Sequence, residues 1–247
     1  MLAVVGAGIG IGFAFGVFGA GGSAFGTPIL ALMGVPAPIA VASPLPAVLP
    51  SALLGARAYL RAGVLDRRVA GLAVTAGVPM ALVGALASRL VSGQWLLLAS
   101  GFLLLGVGAR MVVPSAIDVE GRGAARCDRT GFVVTIAAAA GFFAGLLATG
   151  GGIVLVPILV LVLGFTAARA AGTSLVVAAA LTGPTVVAHW LLGNIDWSIA
   201  GAFALGMIPA SFVAARIGPS LPDRITRPAF GALVLGFAVF FVARQLG

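Results

Sequence analysis

The chain has 247 residues, of which 61% are hydrophobic and only 8% charged, and its mean hydropathy is +1.22. A soluble domain carries about 25% charged residues, so this composition excludes one and reads as an all-α, polytopic membrane protein. The net charge of +8 comes entirely from 14 arginines; they sit at the ends of apolar runs, so they read as topology and headgroup anchors and no nucleic-acid partner is expected.

In chain order, the first apolar run covers about 2–18 and has no basic segment before it, so it reads as a membrane helix rather than a signal peptide. Its "GAGIGIG" at 6–12 lacks the strand–helix setting of a dinucleotide fingerprint and reads as helix packing. The stretch "FGAGGSAFGTPIL", 18–30, then interrupts the ladder with glycines, a serine and a proline, and leaves only a short run at about 24–33. Such a run gives about 15 Å of helix, half of a hydrocarbon core. Longer runs follow at about 37–60, 68–89 and 94–113. The first of these contains "ASPLPAVLPSAL", whose Pro44, Pro46 and Pro50 predict a kink or unwinding near Ser43. A polar linker, 114–130, holds the only cysteine, Cys127, which excludes a disulfide framework. A second series of runs follows at about 131–148, 153–163, 167–192, 198–215 and 227–245, the second of them short again. No alternating ten-residue strands of a membrane barrel occur.

The two series repeat. A shift of 129 pairs Gly16 with Gly145, Gly21 with Gly150 and Gly22 with Gly151, and Pro28-Ile29-Leu30 with Pro157-Ile158-Leu159. After one inserted residue a shift of 130 pairs Gly63 with Gly193, Asp66 with Asp196 and Pro79 with Pro209. Residues 1–113 and 131–247 therefore read as two transmembrane repeats. Arginine marks the cytoplasmic side. The connection after the third run of half one carries Arg57, Arg61, Arg67 and Arg68, whereas its counterpart in half two carries none. The next connection reverses this: Arg89 alone in half one, against Arg216, Arg224 and Arg227 in half two. Equivalent loops thus fall on opposite sides, and the repeats are expected to be inverted, with the linker cytoplasmic. The expected count is about eight full crossings plus two short segments, which leaves re-entrant and fully crossing readings of the short ones open.

Paired, Gly/Pro-interrupted short segments in two halves point to a transporter's binding site near mid-membrane. Glycines let a ligand approach the backbone, and a half-helix start offers unpaired N–H groups and the positive end of a dipole, which suits an anion. The candidate positions are Gly21, Gly22 and Ser23 in half one and Thr149, Gly150, Gly151 and Gly152 in half two, with helix packing as the competing reading. Ser43 and its counterparts Thr173 and Ser174 add hydroxyls beside the next break, unless they bond back to their own helices. His189, the only histidine, is a candidate for coupling to protons or an interfacial residue beside Trp190. Asp66 and Asp196 each precede a helix and read as N-caps. Arg169, alone near the start of its run, is expected to attract substrate to an entrance. Pro79 and Pro209 are expected to kink their helices. No metal-ligand cluster, Walker loop or catalytic triad occurs, so neither a cofactor nor enzyme chemistry is expected.

The motifs "GAGGSAFGTPIL" and "ATGGGIVLVPIL", each followed by a polar break ("ASPL", "AGTSL") and then by Gly-x-x-Asp, together with "GNIDWSIA", resemble the sulfite exporter TauE/SafE family over nearly the whole chain. The resemblance implies an integral membrane carrier for small sulfur-containing or organic anions. Half one departs from the pattern: "GVLDRR" lacks the tryptophan and "ASPL" replaces the Thr-Ser pair, so the half-sites are chemically unequal. The expectation is a bacterial inner-membrane permease that binds a small oxyanion between the two Gly-rich breaks and alternates access, with room for a homo-oligomer. An anion channel on the same scaffold and a non-transporting membrane scaffold are the alternatives.

Overall fold

The computed structural model describes residues 1–92, 130–147 and 152–246, with single positions at 95, 102, 105, 106 and 109. The run expected at 94–113 (apart from those positions), the linker up to 129, and Thr149, Gly150 and Gly151 lie outside the described residues. Among those described, all regular structure is helical: α1 (Leu2–Phe18), α2 (Gly22–Leu32), α3 (Ala37–Ala42), α4 (Leu45–Arg61), α5 (Arg67–Ala87), α6 (Thr130–Leu146), α7 (Gly152–Leu161), α8 (Ala167–Leu191), α9 (Trp197–Ile217) and α10 (Asp223–Leu246).

Four stretches are long and apolar enough to cross a membrane: Ala37–Arg61, Arg67–Leu90, Ala167–Leu191 and Trp197–Ser220. The first joins α3 and α4 across a break at Ser43 and Pro44, where the proline cluster predicts one. Pro79 and Pro209 sit inside α5 and α9, which run on unbroken. α2 and α7 have only 11 and 10 residues. Gly19 ends α1 in the left-handed region (φ 66°), and Gly21 starts α2 from the same region (φ 93°). Only glycine takes that conformation at no steric cost, so the "GAGG" run reverses the chain within three residues.

Small residues then bring helices of the two halves together. Gly8, Gly12 and Gly16 lay α1 along α9 in the same direction, against the backbones of Phe203, Met207 and Ser211. Gly141 and Gly145 lay α6 along α5 likewise, against Gly77 and Ala81. Four-residue spacing of glycine permits this close approach in lipid, where packing and not the hydrophobic effect joins helices. The expected packing role of the 6–12 stretch thus falls on Gly8 and Gly12, while Gly6 and Gly10 face open space. α4 crosses α8 in the opposite sense, with Gly55 against Leu175 and Tyr59 against Gly172. Tyr59, Phe15, Phe203, Leu30, Leu45 and Leu175 are fully buried at the centre of this assembly.

Candidate functional site

The first break is the centre of the candidate site. The first backbone N–H groups of α2 have no carbonyl a turn earlier within the helix to bond. Phe25 N–H is the first to close the ladder, at 3.0 Å from the Gly21 carbonyl. Ser23 lies in this first turn, fully buried, and its hydroxyl has no hydrogen-bond partner. The dipole of α2 adds about half a positive charge at the same end. The second half meets it there. A β-carbon on Gly152, the first residue of α7, would lie 2.7 Å from the Gly19 carbonyl oxygen, 3.0 Å from Ala20 Cα and 3.3 Å from Ser174 Oγ. A side chain at Gly152 would therefore collide with the first break.

Ser43, Thr173 and Ser174, the other described hydroxyls named from the sequence, are fully buried but engaged with backbone. Ser174 Oγ donates to the Gly19 carbonyl at 3.0 Å and pins the break in place. Thr173 Oγ1 accepts the Asp66 N–H at 3.1 Å, and Ser43 Oγ accepts the Asp196 N–H at 3.0 Å. Those two bonds are reciprocal: residues that match under the 130 shift exchange partners across the halves. Ser43 and Thr173 therefore stand at the starts of α9 and α5. Gly21 and Gly22 are at the break itself, Gly22 packed on Phe15, Val48 and Met207.

Three further hydroxyls escaped the sequence reading. Thr27, Ser51 and Thr182 are fully buried and, like Ser23, have no partner. Thr27 lies one turn beyond Ser23 on α2. The antiparallel register of α4 and α8, continued one turn from Gly55 and Leu175, sets Ser51 level with Ala179 and Thr182 level with Val48, the residue that touches Gly22. A buried hydroxyl without a partner costs about 1–3 kcal/mol. The sequence signal of Thr27, Ser51 and Thr182 is a helix-internal proline within two residues, in "GTPIL", "LPSAL" and "LTGPT".

His189 and Tyr59 occupy matching positions and do matching work. Tyr59 Oη donates to the Val17 carbonyl at 2.6 Å; His189 Nε2 lies 3.4 Å from the Gly145 carbonyl, near the end of α6. The Asn194 amide lies 3.4 Å from His189 Nδ1, so a proton on Nε2 satisfies both contacts. At 1% exposure His189 is buried in the protein. It is set in the wall of a cavity of about 470 Å³ that also has Ser88, Arg89 and Asn194 among its polar groups.

Asp66 caps α5 by accepting from Val69 N–H, and Asp196 caps α9 by accepting from Ser198 and Ile199 N–H, as their positions predicted. Arg169 is not the lone cation expected at an entrance: it pairs with the Asp66 carboxylate and stacks 4.3 Å over the Phe165 ring. Among the described residues no three His, Cys, Asp or Glu side chains gather as a metal site.

A family model described as "Sulfite exporter TauE/SafE" matches residues 4–241. Two similar proteins, both named "Probable membrane transporter protein", come from Xylella fastidiosa. That of strain 9a5c is 29% identical over 256 residues, which span 99% of this chain and 96% of the relative. That of strain Temecula1 is 28% identical over 262 residues, with the same coverage. No solved structure matches.

Proposed function

The chain belongs to the sulfite exporter TauE/SafE family, and from that premise we propose that it carries a small oxyanion, of the sulfite or sulfonate class, by alternating access around the start of α2. Family membership makes it an integral, multi-pass membrane transporter and not an enzyme. The observation that carries the finer reading is the unpartnered, fully buried hydroxyl of Ser23 in the first turn of α2, with Gly152 of the other half packed on Gly19 and Ala20 of the break before it.

In this reading the anion's oxygens accept from Ser23 Oγ and the first-turn N–H groups, and the unpartnered hydroxyls of Thr27, Ser51 and Thr182 are further donors along its path. Each hydrogen bond to a charged oxygen is worth about 1.5–3 kcal/mol, and the helix dipole adds up to about 2 kcal/mol. These together offset the loss of water without a buried arginine. Gly150, Gly151 and Thr149 would complete the half-two side. Inverted repeats give this site its symmetry. The exchanged Asp66–Thr173 and Asp196–Ser43 bonds and the matched α1–α9 and α6–α5 pairs support that relation. Residues 1–113 and 131–247 then form the two repeats, the linker faces the cytoplasm, and the rocking of one half on the other exposes the site alternately. The Xylella relatives are consistent with a bacterial inner membrane.

Proteoliposomes loaded with labelled sulfite, sulfate, sulfoacetate or acetate test this. We expect saturable flux and counterflow for a sulfur oxyanion. Flux that never saturates, with single-channel currents, would indicate a pore, and no flux for any of the four would end the transport reading.

A further inference from the structure

At one end of α4 and α9, beside residues 219 and 220, a groove of about 440 Å³ lies between the two helices. Arg57 and Arg61 of α4 and Arg216 of α9 line it, and among the described residues no acidic one does. The Arg216 guanidinium lies 4.2 Å from the centre of the Phe212 ring, which also lines the groove and orients the flat cation. Among the described residues the acids are engaged elsewhere: Asp66 with Arg169, Asp196 on the start of α9, and Asp223 on the Ala167 N–H. Three guanidinium groups that converge on one groove repel each other until an anion joins them.

Topology alone does not require this convergence, since Arg67 and Arg68 on the adjacent loop already mark that side. Nor does the repeat require it: the positions that match Arg57, Arg61 and Arg216 are Val187, Leu191 and Leu86. The surroundings say which anion fits. Leu53 and Leu60 share the exposed stripe of Arg57 and Arg61, and Val213 and Ile217 flank Arg216; all four are exposed. In a bilayer those side chains face acyl tails, so the groove opens sideways at headgroup depth. We propose that it binds the phosphodiester headgroup of an anionic phospholipid, held between α4 of one half and α9 of the other. The planar fork of guanidinium matches a pair of phosphate oxygens, and basic pockets between membrane helices suit such headgroups. A lipid seated there bridges the two halves and favours the arrangement seen here. The inference does not depend on which anion the carrier moves.

To test it, protein purified in detergent is titrated with phosphatidylglycerol, phosphatidylcholine or inorganic phosphate. Thermal unfolding and lipid retained in native mass spectrometry are read. Phosphatidylglycerol is expected to raise the unfolding temperature and to be retained, while the other two do neither. The combined Arg57→Gln, Arg61→Gln, Arg216→Gln variant should retain it on the order of 100-fold more weakly, and Arg216→Gln alone about fivefold more weakly. Arg89→Gln, on a different loop, should leave retention unchanged. Equal retention of phosphatidylcholine, or undiminished retention by the variants, overturns the proposal. Stabilisation by inorganic phosphate alone assigns the groove to a free anion and overturns the lipid source. Should the triple variant not fold, Arg216→Gln carries the test.

Discussion

Two serines that look alike in the sequence have opposite duties in the fold. Ser174 donates to the Gly19 carbonyl, whereas the Ser23 hydroxyl, one short break away, has no partner. Ser174→Ala therefore removes a buried bond and is expected to lower stability by about 1 kcal/mol, read as a fall in unfolding temperature in detergent. Ser23→Ala removes no protein bond, so it should leave stability unchanged or slightly higher. Its cost falls on transport: loss of one bond to a charged oxygen should raise the apparent KM about tenfold. If Ser23→Ala destabilises the fold instead and leaves KM untouched, its hydroxyl serves structure and the site lies elsewhere. Hydroxyls next to helix breaks are legible in the sequence for Ser23 and Ser43, whereas the break expected beside Thr173 and Ser174 does not occur, since α8 runs through both. Which of the four are already engaged is not legible, because their partners (Asp196, Asp66 and Gly19) lie 153, 107 and 155 residues away.

Elements were legible where composition changes sharply. The first run ends at 18 in the reading and at Phe18 in the structure, because Gly19 in the left-handed region stops the helix there. The sequence predicts the short second run at about 24–33, yet the helix is Gly22–Leu32. The early glycines read as part of the break, and it is the left-handed Gly21 that lets the helix begin at Gly22. An L-residue in that region costs about 1–2 kcal/mol, and a β-carbon on Gly21 also meets the Phe25 ring. Gly21→Ala should thus destabilise by at least that much and cut transport more than stability, since it moves the start of α2. Across the helix pairs, Gly141→Leu drives a side chain into the Gly77 backbone and should abolish folded, monodisperse protein, while Gly10→Ala, which faces open space, should be neutral. Size-exclusion profiles of the two variants separate these outcomes. An equal yield for both would mean that the α5–α6 contact does not need its glycine.

At the scale of the whole molecule, matched prolines and aspartates point to a repeat, but the way helices from the two ends of the chain interleave is not legible in the sequence. Nothing in one half's pattern says that α1 packs on α9 and α6 on α5, because close approach of glycine to a distant backbone leaves no periodic trace. The arginine asymmetry makes the inverted arrangement testable. Single cysteines placed in a Cys127→Ser background at Leu65 and at Gly193 should react with a membrane-impermeant thiol reagent from opposite sides: Leu65 from the cytoplasm and Gly193 from outside. Labelling of both from one side would contradict inversion.

The account as a whole rests on an anion seated at the start of α2. The most direct test is an experimental structure of the protein with a bound sulfur oxyanion, in which density is sought around Gly22, Ser23 and Gly152. The account predicts a peak within hydrogen-bond distance of Ser23 Oγ and the first-turn N–H groups, lost in Ser23→Ala. A peak confined to the arginine groove, or one at α2 that survives loss of the Ser23 hydroxyl undiminished, would contradict it.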